Sequence, residues 1–138
     1  MLEQMLIGLA LIFCTICIQT GFIGTAIALL DHSKAWASRP PQSVKASIVV
    51  GATALWLMVA HLIAVWLWAF AFLAVDIFED IETSVYFSGV AFTTLGFGDI
   101  IPPEAWRQLA GLCATNGLLV FGVSTAFLAD VLRRLREA

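Results

Sequence analysis

Apolar residues run almost unbroken through three long stretches, residues 4–30, 46–75 and 108–129, and none of them contains an Asp, Glu, Lys or Arg. At about 1.5 Å per residue, each is long enough as a helix to cross a roughly 30 Å hydrocarbon core. A fourth uncharged stretch, residues 83–98, is too short to cross and carries Gly96 and Gly98 near its end. The pattern predicts three spans and, between the second and third, a segment that enters the membrane and turns back.

Composition agrees with that reading. The 138 residues are 61% hydrophobic and 12% charged, about half the charge of an ordinary soluble domain. The first span carries Glu3 and has no Lys or Arg before Lys34, so it lacks the positive n-region of a secretory signal and is expected to be retained. Residues 31–45, with Ser33, Ser38, Pro40 and Pro41, read as a loop, and only a few residues follow the last span. No folded pocket for a soluble ligand is expected, and no nucleic-acid partner; the partner is the lipid bilayer.

Cys14, Cys17 and Cys113 form no even disulfide framework, and Cys14-x-x-Cys17 lies inside an apolar helix. All three are expected to be buried thiols acting as small apolar residues. The polar residues inside the spans supply no nucleophile and base pair and no metal-ligand spacing, so an enzyme is not expected.

Charge placement sets the orientation. Lys34, Arg39 and Lys45 lie between the first two spans, and Arg133, Arg134 and Arg136 follow the third. Basic residues gather on the cytoplasmic side, which places the C-terminus inside and the N-terminus outside in a multi-pass protein of the cell membrane. Glu3, Asp76, Glu79, Asp80, Glu82, Asp99 and Glu104 then face outward, with Arg107 the only base beside them. They are either a solvated loop or, repeated around an axis, a negative vestibule that concentrates cations.

The short segment carries the chemistry. Polar backbone at membrane depth is tolerated only when buried in protein or lining water. Gly96 and Gly98 reach conformations closed to residues with a Cβ, so successive carbonyls from Thr94 to Phe97 can point along one axis and replace the hydration shell of a cation. Thr94 adds its hydroxyl at the inner end. Residues 83–92 should form a short helix whose negative C-terminal end points at the same cavity. The segment occurs once and no internal repeat appears, so a pore requires several copies of the chain.

The run Thr93-Thr94-Leu95-Gly96-Phe97-Gly98-Asp99, after a short helix and before an apolar one, resembles the pore module of potassium channels over the last two thirds of the chain. The resemblance implies an all-α membrane protein: three transmembrane helices, a re-entrant pore helix and selectivity filter between the second and third, and a homotetrameric inverted-tepee pore. The parts would be a peripheral N-terminal helix within residues 1–31, a cytoplasmic loop at 32–45 and the pore module at 46–138. Potassium ions would sit at Thr94, Leu95, Gly96 and Phe97, with Gly98 completing the filter and no other cofactor. Asp99 would tie the filter to its pore helix, with Thr93 beside it.

Two positions depart from the family's commonest filter, which has Val and Tyr where this chain has Leu95 and Phe97. Phe97 lacks the hydroxyl that braces the filter, and Val90 stands where some members place a carboxylate. Tyr86 and Phe87 occupy the aromatic cuff, with Tyr86 placed to bond Asp99. A filter held more by packing than by hydrogen bonds is expected to be prone to collapse.

Further residues have two readings each. Asn116 either faces the cavity or bonds a neighbouring helix. Gly117 and Gly122 are either hinges of a gate or close-packing positions. His61 and Gln19, at similar depth, are expected to bond one another, with proton sensing by His61 as the alternative. Gly21, Gly24 and Ala28 read as a packing face of the first helix. Asp130 is expected to pair with Arg133 or Arg134 rather than form a ring of acids.

No helix carries the Arg repeat of a voltage sensor. The expectation is a passive potassium-selective channel without a sensor or a cytosolic regulatory domain. The alternatives are a weakly selective monovalent cation channel on the same fold and a non-conducting or partner-dependent membrane subunit.

Overall fold

The computed structural model describes residues 2–37 and 41–136. Its helices are α1 (Leu2–Ala37), α2 (Gln42–Ala74), α3 (Ile81–Phe92) and α4 (Arg107–Arg136), the last led in by a 3-10 turn at Glu104–Trp106. No strand occurs among the described residues. α1, α2 and the unit formed by the 3-10 turn and α4 are each long and apolar enough to cross a membrane. The protein is a multi-pass membrane protein.

The helices overrun the linker expected at 32–45. Residues 31–37 contain neither Gly nor Pro, so nothing stops the hydrogen-bond ladder of α1 before Ala37. α2 starts directly after Pro41, whose extended backbone (φ −81°, ψ 115°) forms the N-cap. Ser38, Arg39 and Pro40 lie outside the described residues.

α2 ends in a left-handed residue. Asp76 has φ 52°; its N–H donates to Leu73 O at 3.1 Å and that of Ile77 to Phe72 O at 3.0 Å. This pair of bonds closes the helix in a Schellman motif, and Ile77 joins Phe72, Phe87 and Trp68 in the core. The turn sends the chain straight into α3, which packs between α2 and α4.

α1 packs against both α2 and α4. Its buried positions are Gln4, Gly8, Thr15, Gln19 and Ala26, one face of a 3.6-residue helix. Gly21 and Gly24, expected on that face, have open space around them, whereas a Cβ at Gly8 would collide with the Leu112 side chain. Cys14 and Cys17 are likewise exposed within one chain, contrary to expectation, and only Cys113 is buried.

The first residues of α1 lie beside the 3-10 turn, where the Gln4 amide donates to Ala105 O. Leu30 and Asp31 share a small cavity with Val131 and Arg134 at the other end. One end of the molecule therefore collects Glu3, Asp99 and Glu104, and the other Asp130 with its arginines.

Candidate selectivity filter and its supports

The helix before the filter is fixed at both ends. Asp80 Oδ1 accepts the Thr83 N–H at 2.7 Å as N-cap, which holds the Asp80 carboxyl below its ordinary range and starts α3 at Ile81, two residues before the expected start. At the other end Thr93 N donates to Gly89 O, Thr94 N to Ala91 O, and Leu95 N to Val90 O, at 2.9–3.0 Å. Thr93 Oγ1 also donates to Gly89 O at 2.7 Å. The carbonyls that end α3 are thus largely taken by the backbone that begins the filter.

Three residues of the segment are left-handed: Thr94 (φ 60°), Gly96 (φ 57°) and Gly98 (φ 78°). The two glycines stand where the backbone requires them. Thr94 is a β-branched residue in a region such residues avoid, a strain held in place by the hydrogen bonds on either side. Leu95 and Phe97 are 60% and 66% exposed in one chain.

Beyond the filter, Tyr86 Oη donates to Asp99 Oδ2 at 2.5 Å. That bond, more than any other influence, lowers the Asp99 carboxyl below its ordinary range and raises the Tyr86 phenol above its own. It ties α3 directly to the residue that follows the candidate filter. Phe87 does not join it: the ring packs backward against Phe72 and Phe78, at centroid distances of 5.3 and 4.9 Å. Val90 contributes its carbonyl, which accepts from Leu95 N at 3.0 Å and Gly96 N at 3.4 Å.

Behind the filter, Ser88 Oγ donates to Val65 O of α2 at 2.7 Å. Gly117 of α4 lies against the last turn of α3 so closely that a Cβ would collide with the Phe92 carbonyl. Gly117 is therefore a packing position. Gly122 has nothing within 4 Å of its would-be Cβ and sits on the exposed face of α4.

Of its two expected roles, Asn116 takes the bond to a neighbouring helix. It is buried, donating from Nδ2 to Thr15 Oγ1 at 2.7 Å, with Thr15 Oγ1 3.1 Å from its Oδ1. The exposed face of α4, turned away from α1 and α2, carries Gly111, Thr115, Leu118, Gly122 and Ala126 instead. Their spacing of four, three, four and four was visible in the sequence, but Asn116, one position from Thr115, drew attention by its polarity.

Gln19 and His61 meet through a third residue. Gln19 Nε2 donates to Ser124 Oγ at 2.7 Å, and Ser124 Oγ lies 3.4 Å from His61 Nε2. Asp130 pairs with Arg133 at 2.7 Å and Arg134 at 2.6 Å.

A short capped helix, a backbone bent by two left-handed glycines, and an apolar helix crossing behind it define an ion-channel pore module. Residues 49–134 match the family model described as "Ion channel". The match spans more than half of the chain, and the chain belongs to that family, the family of small two-helix potassium-channel pore modules. α1 lies wholly outside the matched residues. No curated protein and no solved structure matches the chain.

Proposed function

We propose that four copies of this chain surround one axis and conduct potassium passively through the filter Thr94–Gly98, without a voltage sensor and without enzymatic chemistry. The observation that carries the proposal is the paired positive φ of Gly96 and Gly98 in a segment strapped to its pore helix. That backbone can present stacked carbonyls to a dehydrated cation only in a closed ring of several chains. Support for the ring comes from Leu95, Phe97 and the apolar faces of α2 and α4, which a single chain leaves uncovered. The segment 81–103 then re-enters the membrane, the acidic end faces outward and the basic end faces the cytoplasm. The exposed face of α4 lines the cavity below the filter.

A second reading, weak selectivity among monovalent cations, is favoured by Leu95 at the filter's second position and by an exit held, among the described residues, by the Tyr86 side chain. Flux through proteoliposomes of purified protein separates the two. Potassium flux without sodium flux is expected; equal fluxes would move the reading to the weakly selective channel, and none at any voltage to a partner-dependent subunit. Gly96→Ala is expected to abolish flux. No neighbouring atom blocks the added methyl, but φ 57° costs an L-residue roughly 1–2 kcal/mol in every copy. A D-alanine introduced by semisynthesis adopts that φ freely and is expected to restore conduction.

A further inference from the structure

Where the start of α1 meets the 3-10 turn, one buried acceptor has nothing to bond. Gln4 is 9% exposed, and its amide nitrogen donates to the Ala105 carbonyl. Turning the amide over would set two acceptors against each other, so its orientation is fixed. Gln4 Oε1 is then left buried and without a hydrogen-bond partner among the described residues, a costly state for an amide oxygen. Gln4 lines an open cavity of about 440 Å³ together with Glu3, Glu104, Ala105, Trp106 and Gln108. The Gln4–Ala105 bond joins the two walls, and a glutamate stands next to each bonded residue: Glu3 beside Gln4, and Glu104 beside Ala105.

We infer that this cavity binds a hard divalent cation of the calcium type, with Gln4 Oε1 and the carboxylates of Glu3 and Glu104 as its protein ligands. All three donors are oxygens, two anionic and one neutral. Calcium takes carboxylate and amide oxygens at about 2.3–2.6 Å in irregular shells that water completes, and the cavity has room for that water. Neither His nor Cys lines it, so the donor set does not suit a softer metal, and the two carboxylates repel an anion. Arg107 does not withhold Glu104 from the ion. Its Nη1 stands 3.4 Å from Glu104 Oε1, and the two side chains are 57% and 86% exposed, an ion pair too open to compete with a divalent charge.

The ligands come from two separate parts of the chain. Glu3 and Gln4 belong to α1, outside the residues that match the channel family, whereas Glu104 opens the 3-10 turn that leads into α4. A bound ion therefore pins α1 to the pore module at the segment that follows Asp99. The site is complete within one chain and does not rest on the channel reading. With three protein ligands in an open setting, the expected dissociation constant is about 0.1–1 mM.

Terbium luminescence on the full chain in bilayers tests this. Tb³⁺ prefers the same oxygen donors and emits when a nearby tryptophan is excited, and Trp106 lines the cavity. With potassium in excess, emission is expected that Ca²⁺ displaces at about millimolar concentration and that falls in Trp106→Phe. Calcium affinity is expected to drop at least about tenfold when Glu3→Gln and Glu104→Gln are combined, and likewise in Gln4→Met. Combining Glu79→Gln with Glu82→Gln removes the same charge from acids that do not line the cavity, and is expected to leave the affinity unchanged. Equal weakening in the two double variants would reduce the signal to diffuse surface charge and overturn the site. So would emission undiminished in Trp106→Phe, emission abolished by raising potassium alone, or affinity unchanged in Gln4→Met. Glu3 and Glu104 are both exposed, so their variant decides the matter even if Gln4→Met fails to assemble.

Discussion

Tyr86 shows how much one side chain carries beside a proposed filter that has no tyrosine of its own. Its hydroxyl donates to Asp99, and Phe97 has nothing with which to replace that bond. Because the bond depresses the Asp99 carboxyl, the stabilisation is fully present above the ordinary carboxylate range and fades as the outer pH falls through the depressed value. Tyr86→Phe removes the donor, so Asp99 titrates nearer its usual range. The variant is expected to lose flux at a less acidic outer pH than the parent, with cytoplasmic pH held fixed, and to inactivate faster at neutral pH. An unchanged outer-pH profile would mean that the filter exit is held by packing alone. Thr94 raises the same issue from the inner side, since its left-handed backbone persists only while Thr93, Leu95 and their carbonyl partners hold it.

Among the elements, α4 was legible as a span but not as a set of contacts. An uncharged run of apolar residues identifies a membrane helix through local composition alone, and the short helix α3 with the two left-handed glycines after it was likewise legible within one short segment. A polar residue inside such a helix says that a partner exists, because an unmet polar group in hydrocarbon is costly, but not which helix supplies it. That depends on rotation and register between spans. Asn116 found Thr15, Gln19 found Ser124, and the tight glycines proved to be Gly8 and Gly117 rather than Gly21 and Gly24. The signal that existed was the stripe Gln4, Gly8, Thr15, Gln19 and Ala26, small or polar residues at helical spacing in an otherwise bulky helix. The two glycines of α4 now separate. Gly117→Ala pushes a methyl into the Phe92 backbone, which no rotamer change relieves, and is expected to cost about 1–3 kcal/mol per chain, seen as a lowered melting temperature of the assembled protein. Gly122→Ala meets no atom and gains up to roughly 1 kcal/mol of helix propensity. If α4 bends at Gly122 to open, that variant melts higher yet conducts less; equal flux would place the bend elsewhere.

For the whole molecule, the decisive feature is the division of α4 into two faces. One is committed to the rest of the chain through Leu109, Cys113, Asn116, Gly117, Val120 and Ser124. α1 reinforces that commitment at three levels, through Gln4–Ala105, Thr15–Asn116 and Gln19–Ser124, although it lies outside the part of the chain that matches the channel family. The other face has no partner among the described residues, yet it carries Thr115 and Thr125, whose hydroxyls bond back to Gly111 O and Phe121 O on the same helix. In hydrocarbon these hydroxyls gain nothing; around a water-filled axis they remain hydrated. A cysteine at position 115 distinguishes the two environments. In the assembled protein, Thr115→Cys is expected to react with a charged, water-soluble thiol reagent and lose flux as it does so. The parent provides the baseline, since Cys14 and Cys17 lie on exposed surface of α1 and Cys113 is buried. Asn116→Cys, one residue further on but turned into the Thr15 contact, is expected to resist the same reagent. Should position 116 react and 115 not, α4 would be rotated by about 100° from the orientation argued above, and the cavity would be lined by the face that now holds α1.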